Sequence, residues 1–147
     1  MRFASLLVVT LALSLAGCTS FNAHVEPGRD LQSYQRFFVQ SNLDDNQGIG
    51  AMLVRALQAR GREAELGPLT MLPTSAQVLV TFQDRWTWDF RNHMVALRIV
   101  VLDARSRQPI AAASFTGPTA LTIDAPDVVE RLVTDLFAAP ASAARRQ

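Results

Sequence analysis

Between Gln77 and Phe90 the chain keeps a period of two. Val78, Val80, Phe82, Asp84, Trp86, Trp88 and Phe90 fall on one side; Gln77, Thr81, Gln83, Arg85, Thr87 and Asp89 fall on the other. Successive side chains of a strand point to opposite faces, so this pattern demands an extended strand with one mainly apolar face. Met94 to Leu102 follows as an almost continuous apolar run, the pattern of a central strand. Arg91-Asn92 lies between the two and is placed to close a hairpin. With Phe90 opposite His93, Trp88 faces Val95, Trp86 faces Leu97 and Phe82 faces Val101, which gathers aromatic with β-branched residues. A slip of one residue would set Arg98 among the tryptophans and turn every side chain to the other face. The first register is therefore the expected one.

The remaining elements cover this hairpin. Phe21, Ala23 and Val25 alternate with Asn22 and His24, a short strand ended by Pro27-Gly28. Arg36 to Gln40 is a second short strand. Asn42-Leu43-Asp44-Asp45 offers helix caps, and Ile49, Leu53, Ala56, Leu57 and Arg60 then share one helical face. The spacing predicts a helix over about 45–60, with Gly61 as its stop and with Gly48 and Gly50 weakening its first turn. Glu63 to Leu66 reads as a short strand and 67–73 as a loop. Asp103 to Gln108 is a polar turn before a strand from Ile110 to Thr116. Asp124 and Pro126 start a last helix whose apolar face is Val128, Val129, Leu132, Val133, Leu136 and Phe137, and Pro140 ends it. The order β, β, α, a run of β, α predicts an α+β fold. Its expected form is a two-layer sandwich, an antiparallel or mixed sheet with two helices on one face.

The N-terminus carries an address. Arg2 precedes an apolar stretch from Phe3 to Leu15, followed by Ala16-Gly17-Cys18. That stretch is too short for a membrane span of roughly 20 residues but has the length of a secretory signal core. Leu15-Ala16-Gly17-Cys18 resembles the lipobox of bacterial lipoproteins. The resemblance implies cleavage before Cys18 and three acyl chains on that cysteine, an effectively permanent anchor, since stable attachment needs more than one chain. Thr19 stands where an aspartate would favour inner-membrane retention, which implies the outer membrane, facing the periplasm. Residues 1–17 are thus expected to be a signal peptide, 18–139 one domain and 140–147 a mobile tail.

Charge narrows the partners. The 147 residues hold 14 basic and 13 acidic side chains; without Arg2 the mature domain is balanced. A nucleic-acid partner would want a basic face, so none is expected. Cys18 is the single cysteine, so the domain has no disulfide and relies on its core.

Several features together resemble a family of small bacterial lipoproteins known only as a domain of unknown function. They are the lipobox, Asp30-Leu31 with Tyr34 and Phe37, the helix end Ala56-Leu57-Gln58-Ala59-Arg60-Gly61, the strand Ala76-Gln77-Val78-Leu79-Val80, and Asp103 with Pro109-Ile110 before a closing helix. Phe37-Phe38 stands where that family has a tyrosine and a tryptophan. The resemblance implies the fold and the location; it carries no catalytic residues.

Chemistry-bearing patterns are few. His24 and His93 lie far apart, each without a second ligand at metal spacing, and no metal or cofactor is expected. Gly48 and Gly50 lack the third glycine and the strand of a dinucleotide loop. Asp44-Asp45 and Asp124/Asp127 suit helix N-termini. The candidate binding surface is Asp84, Trp86, Trp88 and Phe90, because tryptophan joins a large apolar body to one hydrogen-bond donor. Two readings of it stand: a groove or docking surface, or a cover for the end of the core beneath the first helix. The expected function is a non-enzymatic binding or assembly module, its partner the membrane through Cys18 and an envelope protein or hydrophobic ligand. A lipid carrier and an envelope hydrolase are the alternatives.

Overall fold

The computed structural model describes residues 19–89, 91–117 and 123–140. Residues 1–18, which include the expected signal peptide and Cys18, and also Phe90, residues 118–122 and residues 141–147 lie outside them.

Six strands form one mixed sheet: β1 (Ser20–Val25), β2 (Arg36–Gln40), β3 (Glu63–Gly67), β4 (Val78–Asp89), β5 (Arg91–Asp103) and β6 (Pro109–Thr116). Their order across the sheet is β1-β6-β5-β4-β2-β3. The pairs from β1 to β4 are antiparallel; β4 with β2 and β2 with β3 are parallel. A parallel pair needs a crossover, and α1 (Ile49–Gln58) supplies it between β2 and β3. The second helix, α2 (Ala125–Ala138), follows β6 and packs on α1. The fold is the expected α+β two-layer arrangement.

The core lies where the apolar faces meet. Ile49, Leu53, Ala56 and Leu57 of α1 and Val128, Val129, Leu132, Val133 and Leu136 of α2 cluster with Val78, Val80 and Phe82 of β4, Leu97, Ile99 and Val101 of β5, and Ile110 and Ala113 of β6. Burial of each Val, Leu, Ile or Phe among them contributes on the order of 1.5–3 kcal/mol. The opposite face holds a smaller cluster that the sequence reading missed. Phe38, Leu79, Ala76 and Ala104 pack there with Leu72 and Leu102, beside the 3-10 turn Leu69–Met71.

Arginines tie the layers together. Arg60, just after α1, donates to Thr134 of α2 and pairs with Glu130 at 2.9 Å. Arg62 donates to Tyr34 O at 3.1 Å and Gln32 Oε1 at 2.9 Å, and its guanidinium lies over Phe137.

The first helix is shorter than expected at its start. Gly48 adopts a left-handed conformation (φ 75°), so the helix begins at Ile49. The Asp45 carboxylate reaches forward to cap it, accepting from Ile49 N and Gly50 N, both at 2.8 Å. Gly61 (φ 73°) ends it as expected.

The hairpin register needs correction. Asp89 pairs with Arg91, so Arg91 and Asn92 belong to β5 and do not form the turn. In the body of the sheet Phe82 faces Ile99, two residues from the expected Val101, an even offset that leaves both faces unchanged. Between Arg85 and Trp86 the register shifts because Val95 is bulged. Past it Trp86 faces Met94 rather than Leu97, Trp88 faces Asn92 rather than Val95, and His93 faces Thr87.

Candidate functional site

The hairpin carries three of the four residues singled out by pattern. Asp84 and Trp86 stand two apart on one strand face, and the Trp86 indole N–H donates to Asp84 Oδ2 at 2.6 Å. Both are half-buried. The indole body packs against the main core, so the carboxylate receives the donor that this packing withdraws from water. Trp86 is thus the core cover that one reading proposed. Trp88 is not: it is 75% exposed. Phe90 lies outside the described residues. The structure therefore divides the candidate surface into a half-buried root, Asp84 with Trp86, and an exposed tip, Trp88.

Among the described residues the hairpin runs on past its neighbouring strands. β2 pairs with β4 only from Phe37↔Val78 to Val39↔Val80. β6 leaves β5 at Ala96↔Thr116, and the Gly117 N–H then donates to Val95 O at 3.2 Å. Thr87, Arg91 and Asn92 around the tip are exposed.

Elsewhere the uncovered sheet face is polar. Thr81, Gln83 and Arg98, with Asn42 and Leu43 from the loop after β2, line an open groove of about 700 Å³. Leu43 in that loop is 99% exposed. It was missed as a surface feature, although an apolar residue set among Asn42, Asp44 and Asp45 is itself a signal of an exposed turn. Between sheet and helices, by contrast, the gap lined by Leu31, Phe37, Leu53, Ile99 and Val133 is only about 10 Å³, about the room one water needs.

The remaining polar candidates stay apart. His24 lies 3.4 Å from Glu26, and His93 Nδ1 is 3.0 Å from Arg91 O. Among the described residues no three His, Cys, Asp or Glu side chains gather where they could share a metal ion. Asp103 has its carboxylate against backbone donors of the β5–β6 turn. The backbone N–H groups of Ser106 and Arg105 hold its pKa below the usual value, partial burial opposes them, and the Ser106 hydroxyl and Arg29 add to the lowering. It shapes the β5–β6 turn, at the end of the sheet away from the hairpin tip.

No protein-family model matches this sequence, so the resemblance to the lipoprotein family rests on the residues quoted for it. No curated protein matches it either. Among solved structures, the PelC dodecamer from Paraburkholderia phytofirmans is similar in fold. Its TM-score is 0.59 at 14% identity, over 88% of this chain and 100% of that one. A point variant of that dodecamer gives 0.60 at 12% identity, over 84% and 100%. A PDZ domain protein from Parabacteroides distasonis gives 0.53 at 9% identity, over 81% of this chain and 36% of that one. At these identities the likeness concerns the fold: a small α+β sandwich that spans the whole of PelC and about a third of the PDZ protein.

Proposed function

We propose that this chain is a lipid-anchored lipoprotein of the outer membrane, facing the periplasm, and that it acts as a non-enzymatic assembly module built from copies of itself. Leu15-Ala16-Gly17-Cys18 supports the anchor, and the first strand begins only two residues after that cysteine. So short a spacer holds the domain against the bilayer and places neighbouring copies in one plane, where association is favoured. The observation that carries the assembly reading is the fold shared along the full length of PelC, a protein described as a dodecamer. The alternative of a carrier with an internal lipid site finds little support, since the space between the layers is about 10 Å³.

Two measurements test the reading. Radiolabelled palmitate should enter the wild-type chain and sediment with outer-membrane fractions, while Cys18→Ser should be unlabelled and either uncleaved or soluble. Its domain should fold normally, because no contact of the described residues needs the thiol. Light scattering on the acylated protein in detergent should then give a defined multiple of the protomer mass. A monomer at every concentration would end the assembly reading and leave the anchor standing.

A further inference from the structure

We propose that the β4–β5 hairpin is a second membrane contact: its tip, led by Trp88, seats in the headgroup layer of a lipid bilayer beside the acyl chains on Cys18. The proposal rests on the anchoring reading above.

The argument begins with where the chain enters the domain. Ser20 pairs with Thr116, Thr116 with Ala96, and Ala96 with Arg85, which sets the four at one level across the sheet. Thr19 lies against Gly117, where an added Cβ would meet its side chain at 3.2 Å. Gly117 is in turn hydrogen-bonded to Val95, at the root of the projecting hairpin. Cys18 immediately precedes Thr19, and one peptide link spans about 3.8 Å. The anchor therefore leaves the domain at the hairpin's root.

Trp88 lies three residues beyond Arg85, about 10 Å along the strand, on the side of the sheet where the chain enters β1 from Thr19. That reach is comparable to the roughly 5–8 Å that the polar layer of each leaflet occupies, so lipid held next to Thr19 lies within reach of the hairpin tip.

The tip has the chemistry of that layer. An exposed indole costs free energy in water and is enriched at membrane–water interfaces, where its body is apolar and its N–H stays wet. Trp88 is 75% exposed, while Trp86 two residues behind it is engaged by the core and by Asp84. The root is thus held firmly and the tip presented. Thr87 and Asn92 beside it are exposed and offer donors to phosphate and ester oxygens. The segment 86–92 carries one acid and one base, so the contact does not require anionic lipid. Attachment at two points would also fix the tilt of the domain, which one flexible anchor cannot do.

The test uses the acylated full-length protein in phosphatidylcholine vesicles. Trp86→Phe leaves Trp88 as the only tryptophan. Its emission should lie to the blue of that of the soluble Cys18→Ser, Trp86→Phe protein. Brominated acyl chains should quench it more than aqueous iodide does. Should Trp86→Phe fail to fold, the difference between wild type and Trp88→Phe isolates the same signal. An indole as open to iodide on vesicles as in solution overturns the proposal. So does a blue shift that fades when the protein is diluted among vesicles, which would mark a contact between copies. Mass spectrometry of the same sample separates the two readings: acylated protein with Trp88 in water defeats this proposal alone, and unacylated Cys18 defeats both.

Discussion

In the body of the sheet, Val80 and Phe82 of β4 face Val101 and Ile99 of β5 and are buried with the helices' apolar faces. Four to six residues further along the same strand, Trp86 faces Met94 and Trp88 faces Asn92. All four residues of β4 belong to one alternating face. Phe82 is 5% exposed, Trp86 is half-buried and Trp88 is 75% exposed. The gradient teaches that alternation assigns a face but not a cover. A strand face becomes core only as far as another layer reaches across it.

Substitutions can break or sharpen that comparison. Leu132→Ala, in the centre of α2 and fully buried, should cost about 2–5 kcal/mol in urea unfolding, the largest of these effects. Trp86→Ala should cost less, about 1–3 kcal/mol, since a fully buried aromatic costs about 3–5. A cost below about 0.5 kcal/mol would show that the root of the hairpin is not part of the core.

A smaller effect is expected at the far end of the sheet. The Asp103 pKa is lowered from 3.8, so its ionised form is favoured by folding. That contribution is complete above the unfolded value of 3.8 and is lost as pH falls through the lower folded value. Asp103→Ala should therefore flatten the fall in melting temperature below about pH 4, with a modest loss at neutral pH; an unchanged acid limb would mean that the turn contacts do not favour the carboxylate. Trp88→Ala should change stability least, by no more than about 0.5 kcal/mol, as at other exposed positions. Should it match the loss at Trp86→Ala, the division into root and tip would fail, and with it the membrane contact.

Much of the fold was legible because it depends on short-range pattern. The period of two from Val78 onward, the helical spacing of Leu53, Ala56 and Leu57 and of Val128 to Leu136, and the stops at Gly61 and Pro140 are local properties of a backbone with two soft dihedrals per residue. The helix start was less legible, because Asp45 caps from outside the helix and Gly48 turns the chain between them. The smaller cluster around Phe38 and Leu79 escaped because apolar residues on both faces of a strand leave no alternation to follow.

The candidate site was legible as a list of residues and not as a site. Asp84, Trp86 and Trp88 share a face by counting alone. That the partner of Asp84 is the Trp86 indole, rather than an arginine or a backbone amide, does not follow from the spacing, and neither do the different fates of the two tryptophans. One bulged residue, Val95, resets every partner beyond it, and no periodicity in β5 announces the bulge.

What the chain determined by itself is therefore its one-dimensional content: the strands and helices, and the side of each element that must be hidden. The tertiary structure alone decided the strand order, the parallel placing of β2 and β3 beside β4, the register past Val95, and which tryptophan meets water. The physical reason is range. Dihedral preference and side-chain period act between residues a few positions apart, whereas burial is conferred by elements distant in sequence. At the hairpin that difference separates Trp86, packed against the core, from Trp88, left outside it two residues later.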